Sequence, residues 1–196
     1  AIATGNAFIV KPSEKVPLTM MKIFSLLDQL DLPKGLVSMV HGGKETVDAI
    51  LEHPTIKAIS FVGSTPVARY IYSKGTANGK RVQAQGGAKN PVIVLPDADI
   101  EMSTKIIADS VYGCAGQRCL AASTIVTVDD ENRNLKDALY ETVKTRTVGY
   151  GWDQGVSMGP VITPESKNRI TDLIELGISE GANALLDGRK KKVSGY

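Results

Sequence analysis

The sequence predicts an α/β protein built on parallel strands, and three patterns support this fold class. Short β-branched runs alternate with segments whose apolar residues recur at helical spacing. The connecting turns are short and contain glycine or proline. The pattern starts again after the pair Gly86-Gly87, which predicts a second α/β part. Such alternation is typical of a doubly wound parallel sheet.

The part before Gly86 predicts four strands and three helices. The strands are expected at 7–10, 36–40, 56–62 and 81–85, and the helices at 18–30, 45–53 and 68–75. A domain boundary is expected near residues 86–90, which gives a partial nucleotide-binding domain over 1–87 and part of an α/β catalytic domain over 88–196.

The second part predicts a buried strand at 91–95, followed by a long helix over 100–113 that Asp97 or Asp99 caps. A short helix is expected after the GQRC segment, and a strand at 123–128. Two amphipathic helices, 132–146 and 164–180, flank the irregular loop GYGWDQGVSMGP. The ends, AIATGNAFIV and KKVSGY, are those expected of a fragment.

Composition excludes several classes of function. The 196 residues contain 42% hydrophobic and 22% charged residues, close to the average of soluble globular proteins. Lys and Arg number 23 against 21 Asp and Glu, so charge gives no argument for binding nucleic acid or an anionic membrane. The basic run 189–192 is expected to be a solvated loop. No apolar run approaches the roughly 20 residues that cross a bilayer.

The two cysteines, Cys114 and Cys119, indicate neither a disulfide framework nor a metal site. A reducing, cytoplasmic compartment is therefore expected. Cys119 lies in YGCAGQRCLA, where glycines leave room for close approach and Arg118 precedes the thiol. An adjacent cation favours the nucleophilic thiolate. Cys114, in contrast, is expected on the apolar face of the preceding helix, as a small buried hydrophobe.

Two segments could hold a phosphate or a ribose. Ser64 stands where a predicted strand meets a helix, and the amides of a helix N-terminus suit a phosphate. An ordinary helix cap is the commoner explanation of a serine in this position. The segment Lys11-Pro12-Ser13-Glu14-Lys15 follows the first strand, at the end where ligands of α/β sheets bind. Ser13 and Glu14 also fit a helix-start signal, so both interpretations stay open.

Taken together, the segments resemble the aldehyde dehydrogenase superfamily over essentially the whole chain. The motifs occur in the family's order: GN…KPSE, LPKG, FVGST, GGAKNP, GQRC and a late GP. The resemblance implies Cys119 as the nucleophile and NAD as the cofactor. It implies that Lys11 and Glu14 hold the adenosine ribose with Lys15 nearby, that Ser64 contacts the pyrophosphate, and that Gly86 passes near the nicotinamide.

One position departs from the family pattern. Hydrolytic members begin a Glu-Leu-Gly-Gly-Lys segment with the Glu that activates the deacylating water, and here Gln85 stands at that position in QGGAK. An amide cannot take a proton near neutral pH, so general-base help of about 10²–10⁴-fold is missing. Coenzyme A is then the expected acyl acceptor and co-substrate.

FVGSTPV, IYSKGTANGKRVQ, LPDAD and GQRC resemble the CoA-acylating methylmalonate-semialdehyde branch. In that branch the Arg beside the nucleophile is linked to recognition of the substrate carboxylate, and Arg118 matches it. The resemblance implies a small carboxylated aldehyde as substrate and a homo-oligomeric full-length enzyme. A hydrolytic dehydrogenase with its base elsewhere, and a non-catalytic protein that keeps the fold, are the alternatives. The 196 residues alone could be inactive in any of these cases.

Overall fold

The computed structural model describes residues 1–128 and 133–193. The chain divides into two compact units, unit 1 (Ala1–Gly87) and unit 2 (Ala88–Tyr196). After a 3-10 turn at Ile2–Thr4, unit 1 alternates strands and helices in the predicted order. Its elements are β1 (Phe8–Val10), α1 (Leu18–Leu27), β2 (Val37–Met39), α2 (Lys44–Glu52), β3 (Ala58–Val62), α3 (Thr65–Ala77) and β4 (Arg81–Gln85).

The strands of unit 1 pair in parallel, which confirms the predicted α/β class. β1 pairs with β2, with Phe8 opposite Val37. β3 pairs with β4 over five positions, and Val62 lies opposite Gln85 at the end. The described strands form two separate pairs and not the single sheet that the alternation predicts, because backbone hydrogen bonds join β1 to β2 and β3 to β4 but not β2 to β3.

The helix α3 packs against β3 and β4 through a small, buried face. Ala68, Ile71 and Gly75 are buried on this helix. A Cβ at Gly75 would lie 2.7 Å from a methyl carbon of Val82 in β4, so only glycine lets the helix come this close. Leu51 of α2 is also buried against this region.

A charged network joins α2 to α3 on the surface of unit 1. The Asp48 carboxylate accepts hydrogen bonds from Lys44 at 2.7 Å and from the Tyr70 hydroxyl, and it pairs with Lys74 at 2.9 Å. These donors, Lys44 first, hold the pKa of Asp48 well below its usual range. The carboxylate therefore stays ionised to low pH, and the link weakens only when the pH falls through that lowered pKa.

The described part of unit 2 contains one parallel strand pair and three α-helices. Its elements are β5 (Pro91–Val94), α4 (Ile100–Tyr112), β6 (Thr124–Thr127), α5 (Arg133–Lys144) and α6 (Pro164–Ser179). β5 pairs with β6 in parallel, with Pro91 opposite Thr124. Val94, Ile107 and Leu135 form the buried core, which joins the strand pair to α4 and α5.

The predicted cap of α4 is present, and the predicted helix after GQRC is not. Asp99 accepts a hydrogen bond from the Met102 amide at 2.9 Å. A 3-10 turn at Gly113–Gly116 precedes the segment instead, and β6 follows it. A helix there would pair the Cys119 carbonyl with the Ser123 amide four residues later. Both groups instead bond Asn90, through its side chain and its carbonyl respectively.

Within the described residues, no helix has both the length and the hydropathy that a membrane crossing requires.

Lys80 is a buried cation that anchors the polypeptide between α2 and β3. Its side chain is largely enclosed, with 7% exposure, and its ammonium donates to the carbonyl oxygens of His53 and Ile56, both at 2.6 Å. The buried charge is thus compensated by two strong hydrogen bonds.

Lys80→Met should lower the free energy of unfolding by about 2–4 kcal/mol, because two part-buried carbonyl oxygens lose a charged donor. Lys57→Met is the matched control, since Lys57 donates to the Pro54 carbonyl of the same turn at 2.8 Å from an exposed position. It should cost about 0.5 kcal/mol or less. Urea unfolding followed by circular dichroism measures both, and equal losses would contradict the anchoring role of Lys80.

Candidate functional site

Parallel pairing places the predicted cofactor residues at the carboxyl ends of strands in unit 1. Lys11 follows β1 directly, and Gly42 lies between β2 and α2. Ser64 and Gly86 follow β3 and β4. The carboxyl edge of an open α/β sheet is where ligands bind.

The Lys11 ammonium ties the end of β1 to the turn before α2. It donates to the Gly42 carbonyl at 2.8 Å and to the Pro12 carbonyl at 2.6 Å, and it pairs with Glu14 at 3.5 Å. Gly42 has φ 143°, and a Cβ there would collide with Thr46, so this turn requires glycine. Lys11 therefore has a structural role in this edge, beside any role in binding.

Glu14 presents an ionised carboxylate to solvent. Its side chain is 59% exposed. A backbone hydrogen bond at its own position and then the charge of Lys11 hold the pKa of Glu14 below its usual value. The helix-start interpretation does not hold, because α1 begins at Leu18 and its N-cap position is Pro17. The Ser13 hydroxyl instead accepts from the amide of the exposed Lys15 at 3.3 Å.

Ser64 occupies the N-cap position of α3, but its side chain makes no capping hydrogen bond. The hydroxyl that is used belongs to the next residue, since Thr65 Oγ1 accepts from the Gly87 amide at 2.9 Å. Of the two interpretations of Ser64, side-chain capping is therefore not observed. The exposed Ser64 hydroxyl stands at a helix N-terminus, where amide dipoles favour an anion.

The segment Gln85-Gly86-Gly87 packs against the start of α3. The Gln85 carbonyl accepts from the Gly63 amide at 3.1 Å, while its side chain is exposed. A Cβ at Gly86 would lie 2.9 Å from Thr65 Oγ1 and 3.1 Å from the Thr65 Cα, so a larger residue would push this segment away. The structure thus brings Ser64, Gln85 and Gly86 together at one edge of unit 1.

Cys119 lies in unit 2, in the segment that runs from the 3-10 turn to the residues before β6 (residues 113–122), which we call the nucleophile loop after the role that the sequence predicts for Cys119. Its side chain is exposed. The Arg118 guanidinium lies over Gly113, since a Cβ at Gly113 would come within 3.0 Å of Nη1. Among the described residues, no ion pair or side-chain hydrogen bond engages this guanidinium, so it is available to an anionic group.

The prediction that Cys114 is buried on a helix is wrong. α4 ends at Tyr112, and Cys114 is exposed with φ 53°. Ala115 and Gly116 also have positive φ, at 52° and 70°. Consecutive left-handed residues turn the chain out of the helix, and for non-glycine residues this conformation is strained.

The side-chain amides of Gln117 and Asn90 hold this loop by hydrogen bonds. The sequence patterns did not indicate this role for either residue. Gln117 donates to the Cys114 carbonyl at 2.9 Å and accepts from the Ile162 amide at 2.9 Å. Asn90 donates to the carbonyls of Cys119 and Ala121, both at 2.9 Å. Both residues stand in the quoted motifs GQRC and GGAKNP, but their partners lie up to 45 residues away, and no local pattern indicates such contacts.

Two further features lie outside this arrangement. An apolar groove of about 380 Å³ runs between β5 and α4, and Cys119 is not among its lining residues. No group of three or more His, Cys, Asp or Glu within residues 1–128 and 133–193 has an arrangement that could hold a metal ion.

The family model described as "Aldehyde dehydrogenase family" matches residues 1–196. The chain is 46% identical over 194 residues to a malonate-semialdehyde dehydrogenase of Halalkalibacterium halodurans, covering 99% of this chain and 40% of that protein. It is 46% identical over 196 residues to the acylating, mitochondrial methylmalonate-semialdehyde/malonate-semialdehyde dehydrogenase of Rattus norvegicus, covering 100% of this chain and 36% of the rat protein.

Solved structures show the same likeness. A Sinorhizobium meliloti protein assigned as a methylmalonate-semialdehyde dehydrogenase, crystallised with NAD, superposes with a TM-score of 0.92 at 46% identity. The match covers 100% of this chain and 40% of that one. The chain thus spans about 40% of the length of these relatives.

Gln117→Leu should increase the hydrogen-exchange rate of the Ile162 amide about fivefold or more, because that amide loses its acceptor. Thr163→Ala is the matched control. This change, at the residue after Ile162, removes the acceptor of the Ser166 amide and leaves the bond between Gln117 and Ile162 in place. Hydrogen exchange resolved to single amides by NMR measures the Ile162 amide separately from the Ser166 amide. The link is wrong if Gln117→Leu leaves Ile162 exchange unchanged or if Thr163→Ala raises it equally.

Proposed function

Since the chain belongs to the aldehyde dehydrogenase family, we propose that it carries the nucleophile and much of the cofactor site of an NAD-dependent, CoA-acylating semialdehyde dehydrogenase. The substrates would be malonate or methylmalonate semialdehyde, and the products acetyl-CoA or propionyl-CoA. The observation that carries the proposal is Gln85, which stands at the position of the base in hydrolytic members. The malonate-semialdehyde dehydrogenases among the relatives, one of them named as acylating, support it.

Cys119 is the proposed nucleophile. It is exposed in a glycine-containing loop, and it follows Arg118, whose guanidinium has no ion-pair partner within residues 1–128 and 133–193. The Cys119 thiolate attacks the carbonyl carbon of the aldehyde, which forms a carbon–sulfur bond and an alkoxide that backbone amides can stabilise. Cys114 is exposed too, but its strained backbone and the bond of its carbonyl to Gln117 give it a role in shaping the turn.

Arg118 is proposed to bind the carboxylate of the semialdehyde. A guanidinium offers two parallel N–H groups to a carboxylate, which fixes orientation as well as adding binding energy. Because the described residues give Arg118 no acidic partner, a substrate carboxylate would not have to displace one. An arginine beside the nucleophile would thus select aldehydes that carry an acid group.

Unit 1 is proposed as part of the NAD-binding domain and unit 2 as part of the catalytic domain. Unit 1 fits a dinucleotide because the Ser64 hydroxyl is exposed and not used in capping, and because the Glu14 carboxylate is exposed and ionised. Ser64 would contact the pyrophosphate, and Glu14 with Lys11 would hold ribose hydroxyls, with Lys15 nearby. Gly86 would let the backbone approach the nicotinamide.

NAD, when bound, supplies the acceptor for the hydride that the carbonyl carbon releases, and this leaves a thioester on Cys119. The β-carboxylated thioester can lose carbon dioxide as a β-keto acid does, and the enolate that remains takes a proton from solvent. The side chain of Gln85, at the carboxyl edge of the strands of unit 1, is a neutral amide, so it does not take a proton from water. The thioester persists until the thiolate of coenzyme A attacks its carbonyl carbon and releases Cys119.

The partners proposed for the natural full-length protein are a small aldehyde, coenzyme A and further copies of the same chain. A reducing compartment suits an exposed cysteine nucleophile, since oxidation would inactivate it.

In the natural full-length protein, turnover of methylmalonate semialdehyde should depend on added coenzyme A. Without it, about one equivalent of NADH per site should form in a burst, followed by slow turnover, because the acyl-enzyme accumulates. Rapid-mixing absorbance measures the burst, and mass spectrometry identifies the product as an acyl-CoA.

Gln85→Glu should raise CoA-independent hydrolysis about tenfold or more, because a carboxylate can act as general base. Gln83→Glu is the matched control, because it adds the same charge at another exposed position of β4. It should leave hydrolysis unchanged. Fast turnover of the unmodified protein without coenzyme A, with a free acid as product, would show a hydrolytic enzyme and overturn the proposal.

A further inference from the structure

The Asn90 side chain holds the loop that carries Cys119, from a position 29 residues earlier in the chain. We propose that Asn90 is a positioning residue that fixes the backbone of Cys119 and so aims its thiol. This inference rests on the proposed function, because Cys119 must be the nucleophile for its aim to affect turnover.

Asn90 makes hydrogen bonds through both its side chain and its main chain. Its side-chain nitrogen donates to the carbonyl oxygens of Cys119 and Ala121, each at 2.9 Å. Its main chain exchanges two bonds with Ser123, because the Asn90 amide donates to the Ser123 hydroxyl and the Ser123 amide donates to the Asn90 carbonyl, both at 3.0 Å. The two side-chain bonds thus attach the nucleophile loop itself to the start of β5, while the two main-chain bonds join Asn90 to Ser123, just beyond the loop.

The nucleophile loop depends on such bonds because its exposed central side chains pack poorly. Cys119 is exposed, and Leu120 beside it is 82% exposed. The chain enters the loop through the left-handed residues Cys114, Ala115 and Gly116. Buried contacts resume only at Ala121 and Ala122. Where few apolar contacts exist, hydrogen bonds decide the position of the backbone.

Asn90 acts on the backbone of the residue whose sulfur is the proposed nucleophile. Holding the Cys119 carbonyl restricts rotation about the Cα–C bond of that residue, so the peptide plane after it is fixed. The Ala121 carbonyl, held by the same nitrogen, is a second attachment point two residues away. Together the two bonds limit the positions that the Cys119 Cβ and Sγ can take.

Asparagine suits this role because one planar nitrogen provides two N–H donors at a short reach from the backbone. An ionised aspartate has the same shape and no donor, so it would repel both carbonyls. A serine has one donor and could keep at most one of the two bonds. Asn90→Asp and Asn90→Ser therefore form a graded pair, and Ser123→Ala is their control, since it removes a bond to the Asn90 main chain and leaves the side-chain bonds in place.

Steady-state kinetics on the natural full-length protein test the proposal. Asn90→Asp should lower kcat by about ten- to a hundredfold, the effect of a small misplacement of a reacting group. The KM for NAD should stay within about twofold. Asn90→Ser should fall between Asn90→Asp and the unmodified protein, and Ser123→Ala should keep kcat within about twofold.

Alkylation by iodoacetamide gives a readout that does not need turnover. The rate at Cys119 relative to Cys114, measured by peptide mass spectrometry from pH 6 to 9, should change in Asn90→Asp and keep its normal profile in Ser123→Ala. The proposal is overturned if Asn90→Asp keeps normal kcat and a normal Cys119 profile, or if Ser123→Ala loses as much as Asn90→Asp.

Cys119→Ala separates the two levels of inference. Loss of dehydrogenase activity in that variant supports Cys119 as the nucleophile on which Asn90 acts. If activity survives, the proposed function fails, and the alkylation ratio alone then decides whether Asn90 positions Cys119.

Discussion

Parallel pairing of short strands constrains both units, because it brings the carboxyl ends of neighbouring strands to one edge and their amino ends to the opposite edge. In unit 1, the pairing of Val62 with Gln85 brings the turn before α3 against the glycines that follow β4. In unit 2, the pairing of Pro91 with Thr124 places Asn90 and Ser123 side by side, one residue before each strand. The hydrogen bonds of Asn90 to the nucleophile loop follow from that register.

Much of this arrangement could be predicted from local patterns. Asp99 precedes an apolar periodic segment, and its capping of α4 depends on residues three positions apart. The strand β4 was predicted with its observed bounds, because RVQAQ lies between two turns. The alternation of strand and helix patterns also predicted that Lys11 and Ser64 follow strands, and both residues do.

The failures arise from contacts between distant residues and from backbone conformations that sequence does not indicate. A helix after GQRC was a reasonable local prediction, but the Asn90 side chain takes the Cys119 carbonyl that such a helix would use. Cys114 was placed on a buried helix face because its positive φ has no sequence signal in a non-glycine residue. The capping pattern pointed to Ser64, but the Ser64 side chain makes no capping hydrogen bond. The neighbouring Thr65 hydroxyl instead accepts a hydrogen bond from the distant Gly87 amide.

The central claim is that Cys119 carries a thioester that only coenzyme A removes efficiently. Its most direct test is to treat the natural full-length protein with NAD and methylmalonate semialdehyde, quench with acid and map the acyl group by peptide mass spectrometry. The account predicts a propionyl group on the peptide containing Cys119, its loss on brief addition of coenzyme A, and no adduct in Cys119→Ala. An adduct on Cys114, or no adduct with propionate accumulating, would contradict it.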